Sequence, residues 1–158
     1  EKIYNSVGDI SSKMKEVIWS LNTENDSLNN LLSYLQKQAR QMMENYPGSF
    51  TITIPEQIPD IKIGGETRRH IYLTVKEALH NIIKHSGADK INLVIACAGK
   101  LIIKVSDNGK GMNTGDSSNS GNGLKNMRNR MEQIGGNFSV ENNQGLTLIF
   151  EIPLKPAL

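Results

Sequence analysis

The stretch TVKEALHNIIKH, Thr74–His85, carries two patterns on one helical repeat. An apolar stripe recurs at helical spacing through Ile71, Val75, Ala78, Leu79 and Ile82. A polar stripe lies beside it, formed by Glu77, Asn81, Lys84 and His85. The pattern predicts a helix over Glu66–His85 with one face in a core. The polar stripe is either a solvated face or a binding face. Asn is a weak helix former, so Asn81 favours the binding face slightly.

The segments around this helix predict strands that arrive mostly as hairpins. FTITI at Phe50–Ile54 alternates like a strand, and INLVIACAGKLIIKVSDNG predicts a hairpin of Ile91–Ala96 and Leu101–Ser106. GLKNMRNRMEQIGG predicts a helix closed by glycine, and NFSVENNQGLTLIFEIP predicts a second hairpin. Helices can then cover one face of the sheet. We therefore expect an α+β fold, a two-layer sandwich with a mixed, mostly antiparallel sheet.

The first segment has apolar residues at alternating intervals of four and three, at Ile3, Val7, Ile10, Met14, Val17 and Leu21. This spacing predicts a short coiled-coil stub or an ordinary amphipathic helix. These apolar residues form the apolar seam of the segment, and it ends at NTENDS, Asn22–Ser27, which contains helix-capping residues. A second helix is predicted from Ser27 to Glu44.

Composition excludes several classes of protein. The 158 residues carry a net charge of +2, which gives no reason to expect direct binding to nucleic acid. A single cysteine excludes an intrachain disulfide. The sequence starts at Glu1 in the middle of a helical pattern, so we expect it to be a piece of a longer protein.

Two glycine-containing stretches flank a polar loop. In VSDNGKGMN, Val105–Asn113, Asp107 ends a strand, and Gly109 and Gly111 follow it. A carboxylate there can accept a hydrogen bond from an amine such as that of adenine, and glycine lets backbone approach a flat ring closely. The alternative is a plain Asp-Asn-Gly turn. Asn113 begins a Ser/Asn/Gly loop that we expect to be mobile.

The second stretch, GNGLK, places Gly121 and Gly123 directly before a helix. A helix N-terminus has unpaired N–H groups and positive partial charge, which suit a phosphate, and Lys125 adds a cation. A flexible loop at a helix start explains the glycines equally well.

Together these features form an ordered series: E-x-x-x-N-x-x-K-H on a helix, D-x-G-x-G after a strand, and G-x-G at a helix start. The series resembles the N, G1 and G2 boxes of the ATP-binding superfamily of gyrase, Hsp90, MutL and histidine kinases, the Bergerat fold. VKEALHNIIKHSGA and GNGLKNMRNRMEQIGG resemble most the catalytic domain of sensor histidine kinases, in the subgroup of nitrate and lipid-fluidity sensors.

The resemblance implies roles for individual residues. Asn81 matches the family's Mg²⁺ ligand, and Glu77 matches an acidic residue that would orient the acceptor histidine or take its proton. Asp107 matches the residue that selects adenine. The remaining ATP-binding matches are Lys84, His85, Gly109, Gly111, Gly121, Gly123, Leu124 and Lys125. Thr147 lies where relatives often carry a Thr or Ser that assists the aspartate.

The resemblance also implies a division of the chain and a set of partners. Residues 1–22 match the C-terminal part of a dimerisation and phosphoacceptor helix, and residues 23–158 match the catalytic domain. The family's phosphorylated histidine would precede Glu1, because His70, His80 and His85 all lie in the nucleotide-side helix.

The implied function is that of a protein histidine kinase using ATP and Mg²⁺. It would phosphorylate an upstream domain, for relay to a response regulator. The implied full-length protein is a homodimer associated with a membrane, with this domain in the cytoplasm. Two alternatives stay open at this point: an ATPase or anti-sigma-type serine kinase of the same fold, and a degenerate nucleotide-binding module that mediates protein contacts.

Overall fold

This computed structural model describes residues 2–111 and 121–155, which form four α-helices and five strands. In chain order they are α1 (Lys2–Leu21), α2 (Leu28–Met42), β1 (Ser49–Thr53), α3 (Gly65–His85), β2 (Lys90–Cys97), β3 (Lys100–Asp107), α4 (Gly121–Gln133), β4 (Asn137–Asn142) and β5 (Leu146–Pro153). Every predicted helix and strand is present, with bounds shifted by a few residues at most. None of the helices described is both long and apolar enough to cross a bilayer.

The five strands form one mixed sheet in the order β1-β2-β3-β5-β4. β1 runs parallel to β2, and the other neighbours are antiparallel. Side chains alternate between the two faces, so Ile103 of β3 and Phe150 of β5, which are paired, both enter the core. Helices α2, α3 and α4 contribute to the same core. The predicted α+β two-layer sandwich is confirmed.

Local hydrogen bonds begin and end the helices where the sequence indicates. The Ser27 hydroxyl accepts from the Asn30 N–H at 3.1 Å and caps α2. After α4, the Gly136 N–H donates to the Met131 carbonyl at 2.8 Å and the Gly135 N–H donates to the Glu132 carbonyl at 3.1 Å. This pair of bonds is a Schellman motif, which confirms the predicted glycine closure.

Helix α1 presents its predicted seam to solvent. Val7, Ile10, Met14, Val17 and Leu21 are between 41% and 74% exposed. The opposite side packs on the rest of the chain, where Glu16 and Ser20 are buried and the Trp19 ring stacks on Tyr34 of α2 with centroids 3.8 Å apart. The end of α1 therefore packs on the α/β sandwich through the side that carries Glu16, Trp19 and Ser20, and the apolar seam remains exposed.

A buried arginine, Arg68 on α3, makes this joint. Its side chain is fully buried, and its guanidinium lies over the Trp19 ring at 5.2 Å. It forms an ion pair with Asp26. It also donates hydrogen bonds of 2.9 to 3.2 Å to the carbonyls of Trp19, Ser20, Asn22 and Ile63. A cation at the C-terminal end of α1 complements the carbonyls that the helix itself leaves unpaired.

Replacing Arg68 with Met should lower the free energy of unfolding by about 3–5 kcal/mol, because Asp26 loses its partner and buried carbonyls lose their donors. Urea unfolding followed by circular dichroism measures this change. Arg69→Met is the matched control, since the neighbouring arginine is exposed and its loss should change stability by about 0.5 kcal/mol or less. Equal effects of the two substitutions would contradict the structural role of Arg68.

Candidate nucleotide site

The start of α4 lies directly on the polar stripe of α3. A Cβ added at Gly123 would be 2.9 Å from Oε1 of Glu77 and 3.1 Å from Nδ2 of Asn81. Such contacts are tighter than a Cβ normally makes, so a larger residue at this position would require Glu77 or Asn81 to move. The structure therefore brings together three residues that the sequence analysis assigned to one site.

Exposed polar side chains follow this contact along both helices. Lys84 and His85 occupy the last turn of α3 and are exposed, and Lys125 is exposed in the first turns of α4. Helix α4 begins at Gly121, so Gly121 and Gly123 lie in its first turn and not before it as predicted. Leu124 is half-buried and packs against the core, so it anchors the helix start. The positive end of the α4 dipole and the Lys84 and Lys125 ammonium groups together favour an anionic ligand.

Asp107 lies at the end of β3, and its register partner Ile91 is in the core. The residue is 8% exposed, and its Oδ1 accepts a hydrogen bond from the Gly109 N–H at 2.8 Å. No hydrogen bond to Oδ2 occurs within the described residues. A nearly buried carboxylate with one oxygen left to accept a donor is suited to bind an amine group.

The turn after Asp107 is fixed to the segment that follows α3. The Lys110 N–H donates to the Ser86 carbonyl at 3.2 Å, and a Cβ at Gly109 would collide with the same carbonyl. The Asn108 side chain accepts from the N–H groups of Asp89 and Lys90 at 3.1 and 3.0 Å. The segment after Asp107 is therefore a turn, as one of the two interpretations expected, and its hydrogen bonds fix the orientation of the Asp107 carboxylate.

The predicted close approach at Gly109 and Gly111 is made, in this structure, to protein atoms. Gly109 lies against Ser86, and Gly111, with a φ of 71°, lies against the Asn142 side chain. Sequence reasoning missed this constraint, because Ser86 and Asn142 are distant along the chain. The Asn108 bonds were missed as well, although an Asn in a turn is the signal that could have indicated them.

Thr147 and Asp107 do not converge. Thr147 pairs with Ser106, the neighbour of Asp107, and paired residues project from the same face of a sheet. Leu148 and Phe150 enter the core, so Thr147 projects from the face that the helices leave uncovered. Asp107 projects from the other face. Asn113 and the rest of the predicted loop up to residue 120 lie outside the described residues.

A cavity of about 170 Å³ opens between α3 and α4 beside Glu77. It is lined by Leu73, Lys76, Glu77 and His80 of α3 and by Asn126 and Arg130 of α4. Of these residues, only Glu77 was among the predicted site residues. Burial, and then the nearby Lys76 ammonium, lower the pKa of His80 below its ordinary value, so its imidazole is neutral at pH 7. The positions of Leu73, Lys76 and His80, within one turn of Glu77, are the signal that could have identified them.

The sequence model for histidine kinase-, DNA gyrase B- and HSP90-like ATPases matches residues 66–156. This match spans α3, the glycine-containing stretches and the second hairpin, and it covers more than half of the chain. The chain therefore belongs to this family of ATPases, and the predicted superfamily is confirmed.

Named relatives support the narrower resemblance to sensor histidine kinases. Sensor histidine kinase LiaS of Bacillus subtilis (strain 168) is 30% identical over 126 residues, which are 77% of this chain and 35% of LiaS. Sensor protein VraS of Staphylococcus aureus (strain COL) is 31% identical over 88 residues, 55% of this chain and 25% of VraS. The chain thus spans about a third of LiaS and a quarter of VraS.

Solved structures show the same fold. The histidine kinase domain of the Erythrobacter litoralis EL346 blue-light activated histidine kinase has a TM-score of 0.67 and 24% identity, over 78% of this chain and 61% of that one. The catalytic domain of histidine kinase ThkA has a TM-score of 0.64 and 20% identity, over 80% of this chain and 91% of that one. At these identities the likeness establishes the fold.

The residues present fit ATP as the ligand that the family implies. Asp107 offers a carboxylate oxygen at one side, and the α4 start offers N–H groups and positive charge at the other. Asn81 offers a neutral oxygen, the hard donor that suits Mg²⁺ when phosphates and water supply its other ligands. The site is thus equipped for both a base and a phosphate chain.

Replacing Gly123 with Ala should weaken binding of Mg-ATP roughly tenfold, because the added methyl group displaces Glu77 or Asn81. Isothermal titration calorimetry measures the affinity. Gly64→Ala is the control, since a Cβ at Gly64 meets nothing within 4 Å. If Gly123→Ala binds Mg-ATP as tightly as Gly64→Ala, the contact between α4 and the polar stripe does not shape the site.

Proposed function

We propose that this chain is the ATP-binding catalytic domain of a two-component sensor histidine kinase. The observation that carries the proposal is the contact of Gly123 with Glu77 and Asn81, in a chain whose fold and family match those of histidine kinases. The substrate is ATP, and the product is a phosphohistidine on a domain upstream of Glu1. That phosphoryl group would pass to a response regulator.

Adenine recognition is assigned to Asp107. Its Oδ2 accepts a hydrogen bond from the exocyclic amine, while Oδ1 is held by the Gly109 N–H. Gly111 continues the fixed turn beside the base. A guanine carbonyl in the place of the amine would face a carboxylate that has no proton to donate, so the site selects adenine.

Binding of the phosphates is assigned to the first turn of α4 and to exposed polar side chains. Gly121 and Gly123 bring backbone N–H groups to the phosphates, while Lys84 and Lys125 supply positive charge and His85 supplies a ring N–H group. Asn81 would hold Mg²⁺, and the ion when bound neutralises charge on the phosphate oxygens. These residues position the terminal phosphate above the polar stripe of α3.

Glu77 is assigned to the acceptor. A ring nitrogen of the acceptor histidine forms a bond to the γ-phosphorus, and the bond from phosphorus to the bridging oxygen breaks to release ADP. Glu77 orients the imidazole and takes the proton from its other nitrogen. His70, His80 and His85 all belong to α3, so the acceptor is a histidine of another segment.

The exposed apolar seam of α1 supports a dimeric arrangement of the segment that carries the acceptor histidine. Val7, Ile10, Met14, Val17 and Leu21 would be covered by a second copy of the protein in a two-helix packing. We assign residues 1–22 to the end of the dimerisation helix and residues 23–158 to the catalytic domain. The domain would lie in the cytoplasm, attached to a sensor in the membrane.

The nucleotide assignment predicts that Asp107→Asn lowers the affinity for Mg-ATP about tenfold to a hundredfold. Asn can present an N–H group toward the adenine amine, where two donors then face each other. Calorimetric titration of the chain with Mg-ATP and with Mg-GTP measures the change and the base preference. Asp60→Asn is the matched control, because Asp60 is exposed in a loop. Wild-type affinity in Asp107→Asn would exclude this site.

The kinase assignment predicts acid-labile, alkali-stable phosphate on the full-length protein incubated with Mg-ATP, and none on residues 1–158 alone. Glu77→Gln should slow its formation at least tenfold, since the imidazole proton loses its acceptor. Radiolabelled ATP and phosphoamino-acid analysis measure this. Phosphate release without a phosphoprotein would favour the ATPase alternative, and phosphoserine on another protein would favour the serine kinase.

A further inference from the structure

The cavity between α3 and α4 includes Glu77 but neither Asn81 nor Asp107 in its lining. It therefore extends from the predicted nucleotide site along the helix pair, toward the N-terminal half of α3. A cavity in this place can receive a group that approaches Glu77 from a side away from the base. The charges of its lining indicate which group that is.

Two charged groups of the lining are already balanced or neutral. The Lys76 ammonium lies 3.8 Å from the Glu16 carboxylate of α1, and Glu16 is buried. Burial, with Lys76 and Lys84, lowers the pKa of the His80 imidazole, against the opposing effect of Glu77. Neither Lys76 nor His80 therefore needs a negatively charged group from a ligand.

Arg130 and Glu77 are different. Arg130 is half-buried on α4, and neither it nor Glu77 makes a hydrogen bond or ion pair within the residues that the structure describes. Within that part of the chain, the cavity thus presents one cation and one carboxylate that have no ion-pair partner. A complementary ligand offers a carboxylate to Arg130 and an N–H group to Glu77.

We propose that Arg130 determines acceptor specificity by binding a carboxylate that flanks the acceptor imidazole while Glu77 binds the imidazole itself. This inference rests on the proposed histidine kinase function. A guanidinium pairs with a carboxylate through two parallel hydrogen bonds, which fix direction as well as distance. The pairing would turn the ring toward the terminal phosphate and would discriminate against histidines that have no acidic neighbour.

A free phosphate group is a poorer match for the same cavity. The Glu77 carboxylate lines the cavity too, and it repels a group that carries about two negative charges more strongly than it repels a carboxylate. A carboxylate beside an imidazole N–H group, in contrast, matches the cavity: the carboxylate can pair with Arg130, and the N–H group can donate to Glu77. The test must therefore distinguish this carboxylate from the alternative partner of Arg130, the phosphates of the nucleotide.

The test compares Arg130→Ala, Arg130→Lys and Arg128→Ala in the full-length protein. Arg128 lies on the same helix and is exposed, with its guanidinium over the Phe138 ring at 5.3 Å, so its loss removes the same charge outside the cavity. The measured quantities are the rate of phosphohistidine formation at saturating Mg-ATP and the KM for ATP. We expect Arg130→Ala to lower the rate at least tenfold with an unchanged KM. Arg130→Lys should be intermediate, and Arg128→Ala should match the wild type.

A second arm uses the acceptor. The proposal requires an Asp or Glu beside the acceptor histidine. Replacing that residue with its amide should lower the wild-type rate as much as Arg130→Ala does, and the two changes together should lower the rate no further than either change alone. Equal rates in Arg130→Ala and Arg128→Ala, independent losses in the double variant, or an acceptor histidine with no acidic neighbour would each overturn the proposal. A rise in the KM for ATP would instead assign Arg130 to the nucleotide. Absence of phosphohistidine in the wild type would reject the kinase function itself.

Discussion

The orientation of helix α3 on the sheet is the constraint on which the other features depend. Its apolar stripe is buried against the core at Ile71, Val75, Ala78, Leu79 and Ile82. Burying each large apolar side chain contributes about 1.5–3 kcal/mol, and each residue advances about 100° around a helix. A rotation by one residue would exchange buried apolar groups for Glu77 and Asn81. Core packing therefore sets the direction of both site residues, although neither belongs to the core.

Arg68 extends this constraint to α1. A fully buried guanidinium is costly unless its donors are satisfied. Here the two terminal nitrogens donate to acceptors at the end of α1 and in the segments beside it, while Nε has no partner among the described residues. Arg68 and Glu77 are on the same rigid helix. The angle at which α1 leaves the sandwich and the position of Glu77 are thus fixed by one element. The Glu16 contact with Lys76 adds a second joint, next to the cavity.

Local patterns in the sequence predict the elements because helix and strand periodicities are read within a few residues. The α3 helix, both hairpins and the glycine closure of α4 are of this kind. The parallel pairing of β1 with β2 joins residues about 40 positions apart, as in Phe50 with Ile91, so no local pattern indicates it. Arg68 was not predicted because arginine is almost always exposed, and its burial depends on carbonyls of three other segments. The face of Thr147 was likewise missed, since apolar residues occur at alternate and intervening positions of β5, and only the register with β3 decides it.

The site also shows why a glycine motif is weak when it is read alone. Gly109 and Gly111 are required here by Ser86 and Asn142, which would hold equally for a turn without any ligand. Gly123 is different. A side chain at this position would come too close to Glu77 and Asn81, which are polar and do not belong to the hydrophobic core. Because the backbone at Gly123 packs closely on these two side chains, they lie next to any ligand that binds at the start of α4. The glycine of the second motif, more than those of the first, therefore supports the proposed phosphate site.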